Sequence, residues 1–220
     1  AKEIEVRILN SPLGKMIVTH IHVDVRDAMG ANAVNTMCEA LAPMLEELTG
    51  GKVRLKILSN LANKRLARAK AIFDKERMGG EKVVDAFIES YTLASIDPYR
   101  AATHNKGIMN GIDALIIASG NDFRAIEAGA HAYATRNGQY SSLTRYYKDK
   151  DGNLVGEIEL PVAVGIVGGA SNIHPKAKIC KKILGIKTAN DLGEIVASLG
   201  LAQNFARSEE HTSELQSLLI

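Results

Sequence analysis

EIEVRILNSPLGKMIVTHIHV, residues 3–23, decides the fold class. Ile4, Val6 and Ile8 alternate with charged residues, NSPLG (10–14) carries turn formers, and Ile17, Thr19, Ile21, Val23 and Val25 resume the alternation. This pattern predicts a β-hairpin with one buried face. The second strand runs into DAMGAN (27–32), after which Val34, Met37, Cys38, Leu41, Met44, Leu45 and Leu48 recur at helical spacing as far as Gly50 and Gly51. Pro43 lies inside that helix and is expected to kink or shorten it. KVRLKILS (52–59) alternates once more through Val53, Leu55 and Ile57 and predicts a third strand. Strand, strand, helix, strand is the order of an α+β unit, an antiparallel sheet with a helix on one face, rather than of a doubly wound parallel sheet. A unit of about 60 residues is small for an independent core, so a preceding portion is expected to complete it.

Beyond residue 59 the pattern turns mostly helical. LANKRLARAKAIFDKERM (61–78) predicts a basic amphipathic helix with Leu61, Leu66, Ala69 and Ile72 or Phe73 turned inward. Its Lys64, Arg65, Arg68 and Lys70 make either a solvated face or a polyphosphate contact. Helices are also predicted at 81–97, stopped by Pro98, and at 123–136, where alanines and a glycine permit close packing. DKDGN (149–153) signals a hairpin between SLTRYYK and LVGEIEL, and PVAVGIVGGAS (161–171) reads as an apolar strand ending in glycines. A helix from Pro175 to Gly185 and a last one capped by Thr188 follow. RSEEHTSELQS (207–217) abandons the preceding periodicity and resembles the in-frame translation of a sequencing-library adapter. Residues 207–220 are therefore expected to be a non-native tail.

Composition narrows the function. The chain has 220 residues, 46% hydrophobic and 24% charged, with a formal net charge of +2, which gives no concentrated basic face for nucleic acid. Cys38 and Cys180 stand in unlike contexts and indicate neither a disulfide framework nor a zinc site. No apolar run approaches the roughly 18–20 residues of a membrane span, and the first residues lack the apolar core of a signal peptide, so a cytoplasmic location is expected. His20, His22 and Asp24 alternate on one strand face; a solvated or partner-facing role outweighs a metal site, because no third ligand has comparable support.

The chemistry concentrates in THNKGIMNGIDALIIASGND (103–122), which reads as glycine-rich loops around one short apolar run. Lys106 and Asp122 are sixteen residues apart, so they meet only if the chain folds back; a lysine beside a carboxylate in a cleft polarises a carbonyl and donates a proton. Two solvated loop charges is the alternative. Arg100 suits a two-pronged carboxylate contact, with Thr103 and Asn110 nearby. At DAMGAN, Gly30 permits close backbone approach to a ligand at a helix start, where Asp27 and Asn32 offer hydrogen bonds, although an ordinary helix-entry turn explains the same residues. Gly165, Gly168 and Gly169 either cradle a dinucleotide or make a tight crossover.

Taken together and in this order, DAMGAN, THNKGIMNG, ASGND and VGIVGGAS resemble the hydroxymethylglutaryl-coenzyme A (HMG-CoA) reductases, specifically the bacterial class II type, over residues 1–206. Ser171 departs from the threonine usual in the family's glycine motif but keeps the hydroxyl. The resemblance implies two hydride transfers that interconvert HMG-CoA with mevalonate and CoA, using NADH or NADPH, with a tilt toward NADH. It makes Lys106 the carbonyl polariser and Asp122 its catalytic partner. It assigns Arg100, Thr103, Asn110 and Asn60 to substrate, and Asp27, Met29, Gly30, Ala31, Asn32, Gly168 and Gly169 to the dinucleotide. No metal is implied. It further implies a homodimer with interfacial active sites, part of a small dinucleotide-binding domain at 1–59, and part of a mostly helical HMG-CoA-binding domain with a few strands at 60–206. The family also uses a glutamate expected upstream of Ala1 and a histidine expected beyond Ala206, so the chain alone is expected to be inactive. A non-catalytic nucleotide or acyl-CoA binding module is the alternative.

Overall fold

The computed structural model describes the backbone of residues 1–217 and the side chains of residues 1–208. The expected hairpin forms, but without its buried face: β1 (Glu3–Ser11) pairs antiparallel with β2 (Gly14–His22), from Glu3 opposite His22 to Ser11 opposite Gly14, while Ile4, Val6, Ile8 and Ile17 stay exposed because no element among the described residues packs on them. His20 and His22 find partners on β1, at Arg7 and Glu5. Helix α1 (Ala31–Thr49) runs unbroken through Pro43, between Gly30 and Gly50, both with positive φ.

The third strand does not form. Residues 52–59 carry no strand pairing; instead the Val53 amide donates to the Glu46 carboxylate and the Leu58 amide to the Asn35 side chain, so the segment lies back along α1. Its alternation is genuine, but Leu55 and Ile57 face outward at 83% and 65% exposure, and no strand among the described residues runs beside it. The expected basic helix at 61–78 is also overturned: residues 66–73 form β3 (Leu66–Phe73). Ala67, Ala69, Ala71 and Phe73 alternate inward while Arg68, Lys70 and Ile72 face solvent. Three of the four inward residues are alanines, whose weak hydrophobic signal let a spurious helical period through Leu66, Ala69 and Ile72 dominate.

Helices α2 (Glu81–Ile96), α3 (Pro98–Ala118) and α4 (Phe123–Tyr133) follow, then the hairpin of β4 (Thr144–Lys148) and β5 (Leu154–Pro161) around an Asp149-bonded turn. β5 is the centre of an antiparallel sheet of order β3-β5-β4. The expected strand at 161–171 ends at Pro161; thereafter the chain is irregular, and its amides bond to other segments. Short α5 (Gly169–Ile173), α6 (Pro175–Leu184) and long α7 (Ala189–Ser217) complete the order. Thr188 and Asp191 cap α7 reciprocally, as the sequence predicts, but the helix continues through Ser217 rather than breaking at Arg207.

The core lies between α3, α7 and the three-stranded sheet, with Ile108, Met109, Ile112, Ile116, Leu154, Leu160, Leu192 and Val196 essentially inaccessible. The segment expected as glycine-rich loops is thus a 21-residue helix at the heart of the protein. Its glycines permit close helix packing: a Cβ on Gly111 would meet Gln203 at 3.2 Å, and one on Gly200 of α7 would meet Ile112 at 2.8 Å. Close approach of this kind offsets the roughly 1 kcal/mol that a mid-helix glycine forfeits relative to alanine.

Candidate active site

Three of the four motifs meet at one junction. Arg65, just before β3, inserts its guanidinium among backbone carbonyls, donating to Ala28 at 3.0 Å, Met29 at 3.4 Å, Arg26 at 3.4 Å and Val164 at 2.5 Å. Burial pulls its pKa below the usual guanidinium value, opposed by the charges of Asp24 and Asp27. Asp27 adds a second tie: its carbonyl accepts from the Ile166 and Val167 amides, and its carboxylate accepts from the Ala189 amide at the start of α7, at 2.8 Å. Gly165 is pressed so closely on this loop that a Cβ there would sit 2.4 Å from the Met29 nitrogen. The ASGND segment joins through Asn121, whose side-chain oxygen accepts from the Gly165 amide at 2.8 Å. Gly120 turns with φ of +74° against Ser171, where a Cβ would meet the backbone at 2.9 Å.

The fourth motif lies along α3. Arg100, Thr103, Lys106 and Asn110 recur at intervals of three, three and four, which places them on one stripe of the helix. Thr103, Lys106 and Asn110 are exposed and Arg100 is half-buried, while His104, Asn105, Gly107 and Ile108 turn into the core. Asp97 caps the helix by accepting from the Arg100 amide. Asn105 holds the adjoining loop, donating to the Ser141 carbonyl and accepting from the Leu143 amide.

Beneath the stripe, His104 anchors a buried polar network. Its ring bonds Thr144 at 2.7 Å and lies 3.5 Å from the Asn204 amide, and Asn204 also accepts from Thr144 and Tyr146. Every bond is satisfied with a neutral ring, and burial, with Arg100 nearby, pushes its pKa down to about 4. A histidine depressed in this way binds fewer protons folded than unfolded. The stability it confers is complete above its ordinary 6.5 and is lost as pH falls through 6.5 toward about 4. Asp113, raised to about 6 by burial and the Glu127 charge, has the opposite sign, gaining stability as pH falls through 6. In an Asp113→Asn background, unfolding free energy from urea titrations is therefore expected to drop by about 2 kcal/mol from pH 7 to pH 5. A His104→Asn variant in that background should lose this slope; an unchanged slope would place the sensitivity elsewhere.

The predicted catalytic pair is not assembled within one chain. Asp122 is the N-cap of α4, accepting from the Arg124 and Ala125 amides, and Lys106 has no ion-pair partner among the described residues. From Lys106 to the end of α3 the axis rises about 18 Å, three times the reach of a lysine side chain. Asp122 instead neighbours the Asn121–Gly165 junction. Asn60 lies at the surface with its carbonyl against α4, where a Cβ on Gly129 would meet it at 2.4 Å. Gly168 and Gly169 have positive φ and open space where a side chain would project. Met29, Gly30, Ala31 and Asn32 form the entry to α1, whose first turn has no side-chain cap and no acidic residue. Sequence reasoning missed Arg65 as a clamp and Asn121 as the tie between motifs. Their signal was weak, an arginine among other cations and an asparagine beside the more conspicuous Asp122.

The family profile of hydroxymethylglutaryl-coenzyme A reductase matches residues 1–213. The 3-hydroxy-3-methylglutaryl-coenzyme A reductase of Archaeoglobus fulgidus is 62% identical over 205 residues, which cover 93% of this chain and 47% of the relative. A 3-hydroxy-3-methylglutaryl-coenzyme A reductase structure from Streptococcus pneumoniae superposes with a TM-score of 0.92 at 42% identity, covering 95% of this chain and 51% of that one. A class II reductase from the same organism, bound to NADPH in open conformations, gives 0.91 at 43% identity, with 95% and 52% covered. The chain spans about half the length of these relatives. Motifs, fold and relatives coincide, and the chain belongs to the hydroxymethylglutaryl-coenzyme A reductase family.

Proposed function

We propose that this chain carries the dinucleotide junction and the catalytic lysine of an HMG-CoA reductase, which reduces HMG-CoA to mevalonate and CoA with two equivalents of NADH or NADPH, or runs the reverse. The observation that carries the reading is the junction, where Asp27, Arg65, Asn121 and Gly165 hold DAMGAN, ASGND and VGIVGG together. The residues present fit a dinucleotide. The uncapped first turn of α1 offers free amides at the positive end of a 19-residue helix, and Gly168 and Gly169 leave their backbone open to close approach. A reduced nicotinamide held there supplies hydride.

The chain's own residues do the rest. Arg100 holds the free carboxylate of the HMG group, Thr103 and Asn110 orient its polar atoms, and Lys106 polarises the thioester and then the aldehyde carbonyl. Asp122 completes the site beside the lysine. Because α3 separates Lys106 from Asp122 in one chain, the site takes Lys106 from one copy and Asp122 from the other, in a dimer with interfacial sites. Asn60, on the edge beside α4, contributes from the junction side. Residues 1–59 belong to the dinucleotide-binding domain and 60–206 to the HMG-CoA-binding domain.

Fluorescence titration with NADH, NADPH and CoA tests the reading. The 220-residue chain should bind a reduced dinucleotide and still show no HMG-CoA-dependent oxidation of it. The same chain joined to the sequence that flanks it in its gene should turn over. Absence of dinucleotide binding in both forms would sink the proposal, and binding without turnover in the longer form would favour a non-catalytic module.

A further inference from the structure

Lys181, in the last turn of α6, reaches back under the glycine segment. Its ammonium donates to the Ile166 carbonyl at 2.9 Å and to the Asn172 side-chain oxygen at 3.0 Å. These two acceptors are the feet of a loop that turns into the short helix α5 and contains Val167, Gly168, Gly169 and Ala170, all of them exposed. Inside the loop, the Ser171 hydroxyl donates to the Gly168 carbonyl, and the His174 amide donates to the Ala170 carbonyl. Upstream of the feet, the loop is fixed by the Ile166 and Val167 amides on Asp27. Downstream, the segment is tied by Ser171 packing on Gly120 and by the lysine.

We infer that Lys181 is a positioning residue for dinucleotide binding: by bridging Ile166 and Asn172 it closes the base of the 167–171 loop and holds Gly168 and Gly169 ready for the ligand. The inference rests on the dinucleotide reading above. Two consecutive glycines with positive φ leave a loop with more conformations to lose on binding than any other pair of residues. A charge-assisted bridge across the base removes part of that freedom beforehand, so affinity is not spent on ordering the loop. The lysine touches neither the α1 entry nor the α3 stripe, so its effect should be confined to the dinucleotide.

The test uses the chain joined to its flanking gene sequence. Lys181→Met should weaken NADH and NADPH binding roughly tenfold. It should also accelerate amide hydrogen exchange in residues 166–173, while HMG-CoA affinity and thermal midpoint stay at wild-type values. Lys181→Arg, whose fork reaches both acceptors, should restore most of the affinity. Asn172→Ala, removing one foot, should reproduce part of the loss. Dinucleotide affinity within twofold of wild type in Lys181→Met would overturn the inference, as would an equal loss of HMG-CoA affinity, which marks a merely structural role. If the unmutated protein binds no dinucleotide, the functional reading itself fails, and that result is distinct from either.

Discussion

In the chain joined to its flanking gene sequence, Lys106→Ala is expected to lower HMG-CoA-dependent oxidation of reduced nicotinamide by roughly 10³-fold, the loss typical when a group that stabilises a developing oxyanion or transfers its proton is removed. Dinucleotide affinity should stay within twofold, because Lys106 lies about 18 Å along α3 from the end that adjoins the Asn121–Gly165 junction. The effect should appear in kcat more than in KM, since the ammonium interacts with charge that develops only on the way to the tetrahedral species. A kcat within tenfold of wild type would remove Lys106 from the chemistry. The same variant reads the assembly. Mixed with Asp122→Asn copies and allowed to exchange subunits, it should regain roughly a quarter of wild-type activity, because half of the dimers are then mixed and each has one intact site of two. If both residues served from a single chain, no mixture would recover anything.

Arg65→Met is expected to destabilise the protein by about 3 kcal/mol, because it removes charge-assisted bonds to carbonyls that have little water to replace them. At this size that corresponds to a thermal midpoint lower by roughly 6–12 °C. Dinucleotide binding should fall further than stability alone explains, because Ala28 and Met29 are the residues the guanidinium holds. Arg65→Lys should recover little, since a point charge on a flexible stem cannot reach Val164 and Ala28 together as the planar fork does. Calorimetry with and without NADPH separates the two losses. A midpoint within 2 °C of wild type would show that the carbonyls are satisfied without the arginine.

Much of this was legible in the sequence, and the exceptions have physical causes. The β1–β2 and β4–β5 hairpins, the cap at Thr188 and the stop at Gly185 follow from local turn and cap chemistry, which acts over a few residues. The stretch 52–59 has the alternation of a strand but lacks a neighbour, and pairing is a property of two segments, not one. β3 was hidden because alanines face its core, and α3 because its glycines looked like loop punctuation when they are points of contact with α7. Within the site, Lys106, Asp122, Arg100 and DAMGAN stood out by residue type. The clamp by Arg65 and the tie through Asn121 depend on contacts across 99 and 44 positions of sequence, which no local pattern encodes.

Helix α7 begins at Ala189, whose amide is held by Asp27, and passes Gly107 one residue from Lys106, where a Cβ on Gly107 would meet the Arg207 side chain at 3.6 Å. Between those points it rises about 27 Å. It is therefore a gauge that, alongside α3, sets the span between the DAMGAN loop and Lys106. With both ends fixed to rods, the chain has little freedom to bring Lys106 toward the DAMGAN loop.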